Sequence, residues 1–179
     1  MSDLFGNPTR SFTGHESTNM NTDRWLTPPC ILKALGRFDL DPCYGEPRPW
    51  RTADTMIGPE ENGLMSDWHG RVWLNPPYGR ECGHWLERMA LHLNGTVLVF
   101  ARTDTAMFGR SIWPVASAVF FFDTRLTFYS PAGKKADQPA GSPSCLIAYG
   151  EFDACVLDRS AENLGGKFLR IRGEEFDDG

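Results

Sequence analysis

Residues 95 to 101, GTVLVFA, form an unbroken apolar run of strand length. A strand solvated on one face alternates apolar and polar side chains, whereas a continuous run needs cover on both faces, as in the parallel sheet of an α/β protein. The stretch before it, HWLERMALHL, places Trp85, Met89 and Leu93 at helical spacing. Before that, VWLNPPYG reads as a strand stopped by two prolines, which remove backbone donors and stiffen the chain. An amide and an aromatic ring on rigid backbone at a strand's carboxyl end suit a ligand site in an open α/β sheet.

Upstream, TPPCILKALGRF reads as a helix, with Thr27 a candidate N-cap, Ile31, Leu32 and Leu35 an apolar stripe and Gly36 a stop. FDLDPCYG is a short strand entering a turn, and residues 44 to 63 read as loop. Downstream, ASAVFFF, LTFY and SCLIAYG read as strands that follow one another, and KFLRIR as a final edge strand. Alternation followed by direct succession predicts a sheet parallel at first and antiparallel towards the C-terminus. Residues 1–22 are polar and aperiodic and read as an N-terminal arm. Residues 23–158 form the expected domain, and 159–179 an edge strand with an acidic tail.

With 179 residues, 41% of them hydrophobic, the chain can bury one sizeable core. No apolar run has membrane-spanning length and no signal pattern opens the chain, so a cytoplasmic protein is expected. Five cysteines without a C-x-x-C pair, and scattered histidines, predict reduced thiols and no metal site. The net charge of −5 opposes contact with phosphates unless the charges are segregated.

Several ordered blocks carry a resemblance. They are Trp25, Thr27-Pro28, Phe38 to Cys43, Gly63-Leu64, Trp68, Val72 to Tyr78, Ala101 to Thr105, and Arg125-Leu126-Phe128. Over roughly residues 23 to 150 the chain resembles the phage-type, Dam-like DNA N6-adenine methyltransferases. That likeness implies a Rossmann-like α/β methyltransferase fold with a mostly parallel sheet and S-adenosylmethionine as the cofactor. It also implies double-stranded DNA as partner, in the cytoplasm of a bacterial host, with protection of phage DNA from restriction as the role. The chain is short for a separate recognition domain, so either relaxed or very short sequence specificity, or help from a homodimer partner, is expected.

The tetrapeptide Asn75-Pro76-Pro77-Tyr78 suits methylation of an exocyclic amine. The adenine N6 lone pair is delocalised into the ring, and acceptors aimed at its hydrogens stabilise the charge that develops on transfer. Asn75 and the Pro76 carbonyl supply such acceptors, and Tyr78 a face for an extruded base. A core role for Tyr78 is the plain alternative. By resemblance, Thr27 and Pro28 pack over the methionine end of the cofactor, although helix capping would equally explain them. Asp41, or Asp39 beside it, would contact the cofactor, and Gly45 would allow a tight turn. A second glycine of the usual cofactor loop is missing after Gly45. Asp67 or Asn62 would read the cofactor adenine, and Asp54 the ribose. Arg102, Lys134 and Lys135 are candidate phosphate contacts and Arg125 a further substrate-binding candidate, with Phe128 (or Tyr129) backing the base. Displacement at a sulfonium carbon needs no metal. The same motif would also serve an RNA base or a protein glutamine, or a protein that binds without turnover.

Overall fold

The computed structural model describes residues 25–45 and 47–172. The expected N-terminal arm and acidic tail lie outside those residues. The chain order is α1 (Pro29–Leu35), β1 (Leu40–Asp41), β2 (Thr55–Met56), β3 (Val72–Leu74), α2 (Cys82–His92) and β4 (Gly95–Phe100). It continues with α3 (Ala106–Ser111), β5 (Ala118–Phe122), β6 (Ser144–Tyr149), α4 (Glu151–Leu164) and β7 (Gly166–Arg170). The strands form one seven-stranded sheet in the order β2-β1-β3-β4-β6-β5-β7. Pairs among β1 to β4 are parallel, and the pairs β4–β6, β5–β6 and β5–β7 are antiparallel. Thus β1 to β5 run one way and β6 and β7 the other, as expected of a sheet that changes character towards its C-terminus.

Side-chain alternation sorts the core into two layers. Val72, Leu74, Val97, Val99 and Ile147 face α2 and α3, where Leu86, Met89, Phe108 and Ile112 cover them. Trp73, Leu98, Phe120 and Leu146 face α1 and α4, covered by Ile31, Leu35, Ala154 and Leu157. Both faces of β4 are therefore dry, which is why its sequence is apolar without a break. On the second layer Arg71 is buried and bonded through Nη2 to Asp153 at 2.8 Å, while its Nη1 donates to the Leu35 and Arg37 carbonyls. One guanidinium thus ties the end of α1 to α4 across the start of β3.

Four expectations need correction. LTFY is not a sheet strand. Its Tyr129 pairs instead with Leu26 through reciprocal backbone bonds of 2.8 and 3.0 Å, and the segment lies in the loop between β5 and β6. The span 44–63 is not all loop, since it holds β2 and a 3₁₀ turn at Pro59–Glu61. Thr27 does not cap α1: Pro28 holds the cap position, without a side-chain bond. Helices α3 and α4 were not foreseen, and α4 runs through residue 158, where a domain boundary was expected. Gly36 does end α1, with φ of 82°. Among the described residues, no helix is long and apolar enough to cross a membrane.

Candidate active site at the switch point

From β1 the chain passes to β2 on one side and then to β3 on the other. The carboxyl ends of β1 and β3 therefore flank the crevice where an open sheet binds ligands. A cavity of about 390 Å³ lies there. Pro42 to Gly45 and Arg48 follow β1 into its wall; Ile57, Asn62 and Gly63 follow β2; Asn75 to Tyr78 follow β3. Trp25 and Trp85 complete apolar portions of it. Gly63 is required for this closure, because a Cβ there would stand 1.8 Å from the Pro42 carbonyl oxygen.

Asn75 is buried at the end of β3. Its Nδ2 donates to the Trp25 carbonyl at 3.0 Å and to Thr27 Oγ1 at 3.2 Å. A backbone carbonyl can only accept, so it fixes which end of the amide is nitrogen. The opposite end, Oδ1, accepts from the Tyr78 hydroxyl at 3.2 Å and keeps a second lone pair. Burial of that hydroxyl pushes the Tyr78 phenol well above its usual range, with the neighbouring Cys82 and Cys145 thiols adding to the effect. Tyr78 therefore stays a donor at neutral pH.

The Tyr78 ring lies on Phe100 with centroids 4.2 Å apart and 19° between planes, and Phe128 meets it edge-on at 6.4 Å. Trp25, Tyr78, Phe100 and Phe128 line a second, small cavity of about 40 Å³, whose opposite wall is the loop Ala136 to Gly141. Trp25 and Tyr78 belong to both cavities. Phe128 reaches this place because the Leu26–Tyr129 pairing draws its loop against the segment before α1.

Asp41 is buried and fully engaged within the chain. It accepts from Cys43 N at 3.0 Å, from Arg48 Nη1 at 2.9 Å and from the Thr52 hydroxyl. Burial pushes its carboxyl up, while the Arg48 charge and these hydrogen bonds pull it down. Its visible role is to fold the loop from Pro42 to Arg48 over the cavity. Gly45 lines that cavity.

The remaining candidates divide by position. Asp39 lies away from the cavity and accepts from Arg71 N at 2.6 Å. Asp54 is exposed and paired with Arg37 at 2.7 Å, and Asp67 is exposed outside the wall that Asn62 joins. Thr27 and Pro28 are not wall residues; Thr27 acts through Asn75. Arg102 is exposed after β4, with its guanidinium carbon 5.7 Å from the Phe100 ring centre. Arg125 donates to the Gly141 carbonyl at 2.6 Å, and so staples the base of the loop that carries exposed Lys134 and Lys135. Phe100 and Arg48 were missed. The aromatic that ends β4 was the available signal for the first, and the second stood in a stretch read as solvated loop. Among the described residues, no group of three or more His, Cys, Asp and Glu side chains could hold a metal ion.

Comparison with known proteins identifies the family. The chain is 28% identical over 149 residues to a DNA N-6-adenine-methyltransferase of Haemophilus phage HP1 (strain HP1c1), covering 76% of this chain and 84% of the relative. No solved structure matches it significantly. The family model described as DNA N-6-adenine-methyltransferase (Dam) matches residues 14–164, which hold both cavities and all seven strands except β7, and the chain belongs to that family.

Proposed function

We propose that the protein transfers a methyl group from S-adenosylmethionine to N6 of an adenine extruded from double-stranded DNA. The observation that carries this reading is the orientation of Asn75, whose Oδ1 lies beside Tyr78 where both cavities meet. The larger cavity suits the cofactor in size and mixed character, with Trp25, Ile57 and Trp85 for the adenosine and polar groups elsewhere. When bound, that cofactor supplies an activated methyl on a sulfonium.

The residues of the chain do the rest. Asn75 Oδ1 and the Pro76 carbonyl accept the hydrogens of the exocyclic amine and stabilise the positive charge growing on nitrogen. The amide is neutral and cannot take a proton at neutral pH, so it polarises the amine without deprotonating it first, and the methylated nitrogen sheds its surplus proton to water afterwards. Tyr78, backed by Phe100, offers a flat face to the base, and Phe128 and Trp25 exclude water around it. The second cavity is smaller than a purine, so the base enters with outward movement of the loop from Ala136 to Gly141. Arg102, Lys134 and Lys135 supply phosphate contacts on the same rim, and a net charge of −5 confines that attraction locally.

The test is incubation with unmethylated DNA and S-adenosylmethionine, followed by hydrolysis to nucleosides and mass spectrometry. N6-methyl-deoxyadenosine is the expected product. Methylated RNA or protein, with DNA left unmodified, would overturn the acceptor.

A further inference from the structure

Arg48 is the only charged side chain among the described residues of the larger cavity's wall. It is held there with care: its side chain is 6% exposed and its Nη1 donates to Asp41 at 2.9 Å and to Thr52 Oγ1 at 3.3 Å. The Tyr44 ring centre lies 4.7 Å from its guanidinium carbon. Yet Nε is buried and has no hydrogen-bond partner. A buried guanidinium donor left unpaired is unfavourable, and one aligned by an ion pair, a hydroxyl and a ring is preorganised for an acceptor. Planar carboxylates match the fork of a guanidinium through paired N–H donors.

We propose that Arg48 binds the α-carboxylate at the methionine end of S-adenosylmethionine, using the donors that Asp41 and Thr52 leave unused. The inference rests on the reading that the larger cavity takes this cofactor. The carboxylate is the only anionic group of that molecule, and Arg48 is the only charge awaiting it among the described wall residues. Asp41 then has a second purpose. It is a positioning residue that aims Arg48, which accounts for a carboxylate in this loop being buried with both oxygens hydrogen-bonded.

The test is calorimetric binding to the full chain of three ligands: S-adenosylhomocysteine, its carboxyl methyl ester, and methylthioadenosine, which lacks the amino-acid portion. Wild type and Arg48→Lys are compared, because lysine keeps a charge beside Asp41 while losing the fork. Arg48→Lys is expected to bind S-adenosylhomocysteine at least about tenfold more weakly and methylthioadenosine almost unchanged. Esterification is expected to weaken binding to the wild type by a similar factor and to the variant much less. Equal loss for all three ligands in the variant overturns the proposal. If the variant does not fold, the wild-type comparison decides, and equal affinity for the acid and its ester overturns it. Wild type that binds S-adenosylhomocysteine but ignores esterification refutes Arg48 alone; wild type that binds none of the ligands refutes the cofactor reading and this inference with it.

Discussion

Asn75 donates from Nδ2 to the Trp25 carbonyl at 3.0 Å, and that bond decides which end of the amide faces Tyr78. Two segments far apart in sequence thus set one atom. The Pro-Pro pair fixes the backbone of Asn75, and the segment before α1 fixes its side chain.

Thr27 is the second acceptor for the same nitrogen, at 3.2 Å. Thr27→Val keeps the shape and removes the acceptor, leaving one buried N–H of Asn75 unpaired. Loss of such a bond costs about 1 kcal/mol, so kcat should fall by roughly fivefold. Cofactor affinity should not change, because Thr27 is not in the cavity wall. Steady-state kinetics beside a binding titration separate the two.

Tyr78 has two jobs that substitutions can divide. Tyr78→Phe keeps the stack on Phe100 and loses only the bond to Asn75 Oδ1. It should cost less than about tenfold in kcat/KM, whereas Tyr78→Ala should cost roughly a hundredfold through lost stacking. Phe100→Ala should resemble a mild Tyr78→Ala, weakening DNA more than cofactor, as single-turnover rates at varied DNA would read.

Lys134 and Lys135 stand exposed on the loop that walls the second cavity. If both meet phosphates, replacing them with alanine should flatten the log–log salt dependence of DNA binding by about 1.8. Fluorescence anisotropy across a salt series measures this slope. An unchanged slope would remove both from the DNA contact.

Burial pushes the Cys82 thiol up to about 11 and the Cys145 thiol up to about 12, from a usual 9.0. The folded chain thus keeps protons that the unfolded chain releases above that usual value. Their contribution to stability is full below about pH 9 and is lost as pH rises towards 12, by up to about 1.4 kcal/mol per pH unit for each thiol. The phenols of Tyr78 and Tyr149, pushed up by desolvation, add in the same direction. Denaturant titrations between pH 9 and 12 should show the decline, with a shallower slope in the Cys82→Ala/Cys145→Ala double variant.

Features fixed by neighbours in the chain were legible in the sequence. The apolar run of β4, the helical spacing of Trp85 and Met89, and the stop at Asn75-Pro76-Pro77 all depend on local pattern. Features fixed by distant partners were not. LTFY has strand composition, but its Tyr129 backbone pairs with Leu26 and not with a strand of the sheet. Thr27 looked like a cap because the amide that claims it lies 48 residues away. Helix α4 opens with Glu151 and buries Asp153, an acid whose burial makes sense only with Arg71 present, 82 residues earlier. Likewise β2 is two residues long, too short for any periodicity to show. Arg48 stood in a run of prolines and charges, and only the folded loop reveals that Asp41 has drawn it inward.

The central claim is that Asn75 acts on the amine and not on the cofactor. Asn75→Ala, assayed for single-turnover methyl transfer to DNA and for S-adenosylhomocysteine affinity on the same preparation, tests it most directly. The rate should fall by at least about a hundredfold, with affinity staying within a few-fold of wild type. A variant that keeps its rate, or loses rate and cofactor affinity in equal measure, would contradict that claim.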